Sequence, residues 1–100
     1  MLKIKNNEIY ISKGDTATIN INISQGGSAF TLPEGASIVF TVDTPTQIKK
    51  TITDNKLELV GADTENINAG IYEYDLKLVF KEGEQVAITK PTPFVMKEVV

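Results

Sequence analysis

The sequence predicts an all-β chain: one antiparallel β-sandwich of about seven short strands, with no disulfide. Three observations carry that prediction. Ile, Val and Thr fill 31 of the 100 positions, and β-branched side chains favour a pleated, half-buried backbone over a helix. Apolar and polar residues alternate over several runs, the period of a strand with one face on a core. Turn-forming residues separate these runs at intervals of roughly 8–12 residues, the spacing of a sandwich or small barrel. A chain of 100 residues fits a single domain spanning 1–100 and buries roughly two-thirds of its unfolded surface, enough for one core without staples.

The clearest run is Ala17-Thr18-Ile19-Asn20-Ile21-Asn22-Ile23-Ser24. On a helix its three isoleucines would scatter around the circumference; on a strand they share one face. The second run is 71–80, with Tyr72, Tyr74, Leu76, Leu78 and Phe80 on one face and Glu73, Asp75 and Lys77 on the other. Ser37 to Val42 alternates likewise, with Ile38, Phe40 and Val42 facing inward. Shorter strands are predicted at Glu8–Ile11, Ile48–Thr53, Leu57–Val60, Gln85–Lys90 and Phe94–Val99. Leu2 and Ile4 begin an N-terminal strand, and Asn6-Asn7 turns it into the next. Further turns fall at Lys13-Gly14-Asp15, Gln25 to Ser28, Pro33-Glu34-Gly35, Thr44-Pro45-Thr46, Asp54-Asn55-Lys56 and Lys81 to Glu84. Proline donates nothing to a ladder, so Pro91 and Pro93 predict a last strand at a sheet edge, broken in two. The single helical turn expected lies in 63–68.

What the chain lacks narrows its chemistry. It has no Cys, His, Trp or Arg, and ten Lys stand against thirteen Asp plus Glu for a net charge of −3. Without His or Cys there is no Ser-His-Asp triad, no Cys nucleophile, no zinc finger and no disulfide. An acidic chain without Arg is ill suited to a phosphate backbone, so no nucleic-acid partner is expected. No stretch approaches the ~18 to 20 apolar residues of a membrane span, and the N-terminus shows no signal-peptide core. We therefore expect no catalytic residue, cofactor or metal, and no membrane partner.

The remaining constellations have plain structural readings. Asp63 with Glu65, and Glu73 with Asp75, are acid pairs, but acid-base work on sugars needs a cleft lined with aromatic rings. Most of the seven aromatics belong to the predicted core. Asp63, Thr64 and Glu65 offer oxygens to Ca²⁺ without matching an EF-hand loop. Gly26-Gly27 lacks the Gly-Lys-Ser/Thr of a phosphate cradle and reads as a turn. Lys49-Lys50 reads as a solvated strand edge that discourages edge-to-edge pairing. Tyr10, Val39, Ile71 and Val79 fall on outward faces. Of these, Tyr10, Ile71 and Val79 are the candidate protein–protein interface, because apolar residues merging into an exposed patch mark a contact surface.

Leu57-Glu58-Leu59 followed by Gly70-Ile71-Tyr72-Glu73-Tyr74 resembles strands E and F of immunoglobulin-like sandwiches. There the first tyrosine bonds its hydroxyl to the upstream loop, the tyrosine corner. The resemblance implies that Tyr72 is buried with its hydroxyl bonded to backbone within 63–68. Tyr74 then stands where antibody domains carry their second Cys, Ile19 or Ile21 where they carry the first, and Phe40 where they place Trp. More widely, Ile9 to Thr16 with its Lys-Gly-Asp-Thr, the Gly-Gly pair, Phe30-Thr31-Leu32, Gly35 to Val42 and Gly70 to Leu76 occur in an order similar to the N-terminal immunoglobulin-like domain of phage baseplate upper proteins. Small tail-associated proteins of Gram-positive phages share it.

That resemblance covers about 8–96 and departs at Pro33-Glu34 and at Pro91-Thr92-Pro93. It implies a non-enzymatic phage or prophage tail protein that attaches other virion proteins, is capable of homo-oligomerising, and reaches the virion from the bacterial cytoplasm. The alternatives are a bacterial cell-surface adhesion module and a small carbohydrate-binding module. The latter requires at least two exposed, coplanar rings on one sheet face.

Overall fold

The alternating runs fold into two facing sheets. The computed structural model describes residues 3–5, 7–25, 27–89 and 91–98. Leu2, Asn6, Gly26, Lys90 and Val99, which the sequence places in strands or turns, lie outside the described residues. In chain order the strands are β1 (Lys3–Lys5), β2 (Glu8–Ser12), β3 (Ala17–Asn20), β4 (Ser24–Gln25), β5 (Ser28–Ala29), β6 (Ser37–Val42), β7 (Ile48–Ile52) and β8 (Lys56–Leu59). One helical turn, α1 (Gly61–Thr64), precedes β9 (Gly70–Val79), β10 (Gln85–Ala87) and β11 (Thr92–Lys97).

The large sheet runs β1-β2-β11-β9-β6-β7, with β10 also on β9. The small sheet is β3-β8, and β4-β5 is a separate hairpin. Seven strands form the body of the sandwich (β2, β3, β6, β7, β8, β9 and β11), and the four others are short additions. Ile19, Leu57 and Leu59 of the small sheet bury their side chains together with Ile9, Ile11, Ile38, Phe40, Val42, Tyr74, Leu76, Leu78, Phe94 and Met96 of the large one. The chain is thus an all-β sandwich, and one core lies between the layers.

Several expectations need correction, each for a local reason. The last strand is not at an edge: β11 lies between β9, antiparallel, and β2, parallel. Pro93 is accommodated because the pairing with β2 begins only at Phe94, opposite Ile9. The predicted break is present, since β10 and β11 both pair with β9, around Ala87 to Thr92. The β2–β11 pair also makes the sheet mixed rather than wholly antiparallel.

The first long run ends as a ladder at Asn20, before Ile21. There Asn55, at φ 62, bends the partner chain away. It still receives the Ile21 N–H on its carbonyl at 2.8 Å and donates its side-chain amide to the Ile21 carbonyl at 3.0 Å. Asn tolerates this left-handed conformation because its side chain bonds locally. The helical turn starts at Gly61, two residues ahead of the predicted segment.

A clasp ties the α1 turn to the loop after β2. The Gly14 N–H donates to Thr64 Oγ1 at 2.8 Å, and Thr64 is fully buried. Asp63 accepts the Val60 N–H at 2.8 Å on one carboxylate oxygen and pairs with Lys50 of β7 at 2.9 Å on the other. The backbones come so close that a Cβ at Gly61 would lie 2.7 Å from the Gly14 carbonyl oxygen. Gly14 itself holds φ +84, so the carbonyl cannot be swung aside cheaply. Gly61→Ala is expected to lose about 1–3 kcal/mol, the usual cost of forcing extra atoms into a packed site. Urea unfolding checks it: an unchanged midpoint would mean that the two loops separate at no cost.

Candidate functional site

Phe40 of β6 sits fully buried at the centre of the inner layer, its ring centroid 5.3 Å from Tyr74 and 6.2 Å from Phe94. Ile19 and Tyr74 are buried, while Ile21 is half-buried past the end of β3. Phe40, Tyr74 and Ile19, which the resemblance would set at the Trp and Cys positions of antibody domains, are thus packed apolar bulk. Tyr74 also donates its hydroxyl to the Asn7 carbonyl at the turn between β1 and β2. Burial pushes its phenol above the ordinary value, because the phenolate would be desolvated.

Tyr72 donates its hydroxyl to the Asn68 carbonyl at 2.6 Å, the expected tyrosine corner. Its ring is half-buried rather than buried. The reason is position: Tyr72 lies near the start of β9, at the end of the sandwich, where the layers no longer cover it fully.

The candidate interface resolves through strand register. Tyr10 pairs with Val95, and Val95 pairs with Ile71, so the three form one row across β2, β11 and β9. All three point away from the core, since Ile9, Ile11, Phe94 and Met96 beside them are buried. Ile71 is 77% exposed, the most open large apolar side chain among the described residues. Val79 does not join them. It lies eight positions further along β9, roughly 27 Å away at the rise of an extended chain, between Ser37 and Gln85. Val95 was not legible in the sequence because it sits between Phe94 and Met96, where three apolar residues in a row hide the period.

Charges bracket the row along the strands and at its β1 end, where Lys3 holds the register position opposite Tyr10 and Lys5 the one opposite Glu8. Glu8 and Glu73 lie one step toward the start of β2 and the interior of β9, flanking Pro93. Lys97, paired with Ser12, lies one step the other way. The Lys97 ammonium stands 5.9 Å from the Tyr10 ring centroid, and the Tyr10 hydroxyl donates to Glu8 Oε1 at 2.7 Å.

The other clusters the sequence offers make contacts within the fold. Asp63 and Thr64 are committed to the α1 clasp. Glu73 is exposed, and its N–H donates to Asp43 Oδ1 at 2.8 Å. No group of three or more acidic side chains able to hold a metal ion occurs among the described residues. A cleft of about 320 Å³ opens between the layers beside β3, with Ile19, Ile21, Phe40 and Leu76 on its floor and Asn20 and Asn22 along it. The lining carries one titratable side chain, Tyr74, so it offers space for an apolar group but no acid-base pair.

None of the seven aromatic rings is fully exposed, and Tyr10 is the sole ring on the outer face of the large sheet. The outer face of the large sheet therefore carries one ring, not the two coplanar rings that a carbohydrate-binding module requires. Comparison of the chain with protein-family models, with curated proteins and with solved structures finds no match.

Two outcomes follow from the tyrosines. Tyr72→Phe should lose about 0.5–1 kcal/mol, at the low end for a hydrogen bond because water reaches the Asn68 carbonyl; thermal or urea unfolding reads it. The phenols of Tyr10 and Tyr74 are both held above the usual value near 10, Tyr10 first by the Glu8 hydrogen bond, then by desolvation, then by the Glu8 charge. The folded chain keeps these protons at a pH where the unfolded chain releases them. Stability is therefore complete below about pH 10 and falls as pH rises past it. With three Tyr and no Trp, tyrosinate absorbance follows each step, and Glu8→Gln should bring one of them down.

Proposed function

We propose that this chain is a non-enzymatic structural protein of a phage or prophage tail or baseplate, acting as an assembly or attachment module. The observation that carries the reading is the outward-facing row Tyr10–Val95–Ile71, half-buried at Tyr10 and Val95 and open at Ile71, on the outer face of the large sheet. Val60 and Val86 are also exposed, but Ile71 is the most open of the three and is the one that continues into an apolar row, the kind of surface a partner covers. The tail setting rests on the motif order around Lys13-Gly14-Asp15-Thr16 and Gly70-Ile71-Tyr72-Glu73-Tyr74. Of the residues in those motifs, Gly14 donates its N–H to the α1 clasp and Tyr72 makes the tyrosine corner. Function then lies in complementary surfaces rather than in a pocket.

The test is the chain's whereabouts in the organism that encodes it. Particles released by induction and purified by density are expected to contain the protein, and an Ile71→Lys chain should be depleted from them at equal cellular abundance. Recovery in the cell envelope of uninduced cells, with none in particles, overturns the reading in favour of a surface adhesion module.

A further inference from the structure

We propose that the outer face centred on Val95 docks a second copy of this chain, related by a two-fold axis that runs across the strands. The proposal rests on reading this face as the contact surface, and it names the partner. The argument is the order of charge along the strands. Toward one end of the row stand Glu8 and Glu73, on either side of Pro93; toward the other stands Lys97. Positions two residues apart on a strand are separated by about 7 Å, and neighbouring strands by about 4.8 Å.

A two-fold axis perpendicular to the strands reverses strand direction and leaves each strand facing its own equivalent. Val95 then meets Val95, and the apolar row covers itself. Lys97 of one copy arrives over Pro93 of the other, between that copy's Glu8 and Glu73. The exchange is made twice, as an isologous interface requires. A two-fold axis along the strands lacks this property, because it brings acid over acid at one end and lysine over lysine at the other. Lys97 forms no ion pair among the described residues and rests over Tyr10, so its flexible stem is free to cross to a partner.

The face spans about 14 by 17 Å at these spacings, well below the roughly 800 Å² per partner of a standard stable interface. The dimer is accordingly weak, and it matters where copies are held close together, because a local array supplies the effective concentration.

Sedimentation equilibrium of the purified chain, from about 10 µM to about 1 mM, tests the proposal. The expected result is a reversible monomer–dimer equilibrium in the upper part of that range. Ile71→Lys and Lys97→Glu should each weaken it at least ~10-fold, about 1.4 kcal/mol. The Lys97→Glu/Glu73→Lys double variant should recover most of the loss, which non-specific stickiness would not do. All are exposed positions, and circular dichroism confirms that each variant keeps its strands.

A strict monomer at the highest concentration overturns the proposal. So does a dimer indifferent to Lys97→Glu, or a single charge reversal with no rescue. If the chain stays monomeric while Ile71→Lys is still lost from particles, self-docking is wrong, the attachment reading stands, and the partner is a different tail protein.

Discussion

The two layers are held together by one shared apolar core, in which Ile19, Leu57 and Leu59 of the small sheet join Phe40 and the inner residues of the large one, with no disulfide between them. Everything else in the molecule depends on that contact. A ring of this size, fully buried against Tyr74 and Phe94, supplies the apolar area that a small domain must remove from water. Offset and tilted rings also interact favourably beyond their area. Because no disulfide fixes the spacing, each inner position has to be filled. Ile38, Val42, Leu57, Leu59 and Met96 do so at essentially zero exposure.

A core that is mainly apolar leaves the polar work to the ends of the sandwich. Backbone groups in turns must find partners when covered, and a small set of side chains provides them. Tyr74 reaches from the core to the Asn7 carbonyl, Tyr72 to Asn68, and Thr64 to the Gly14 N–H. Asp63 joins α1 to β7 through Lys50. Among the described residues no buried side-chain polar atom is left without a partner. Asp63 is spent on such contacts, while Glu73 faces water.

The outer face of the large sheet carries the residues left over once the inner face has been assigned to the core. Its composition is set by the alternate residues of strands whose other residues are committed to the core. That is why β2, β11 and β9 can carry Tyr10, Val95 and Ile71 at no cost to the fold. The row arises from three separate segments of chain, brought side by side by a parallel β2–β11 pairing and an antiparallel β11–β9 pairing. The edge of the sheet at β7, by contrast, carries Lys49 and Lys50, charges that blunt strand addition.

The sequence by itself determined whatever has a local cause. Period-two alternation fixed which residues of 37–42 and 71–80 point inward, the positive-φ glycines and asparagines marked the turns, and the Gly-x-Tyr-x-Tyr run marked the tyrosine corner. Missing Cys and His removed the disulfide and most catalytic chemistry at the level of composition. Only the tertiary structure decided matters of pairing. Pro93 could be read locally as an edge signal, yet β11 lies inside the sheet because its parallel neighbour begins one residue later. The grouping of Tyr10 with Ile71, and the exclusion of Val79, required the register of three strands far apart in the chain. So did the close approach of Gly61 to Gly14. Turn geometry sets register only between strands joined by a tight turn; between strands far apart in the chain it emerges when their apolar faces meet on one core.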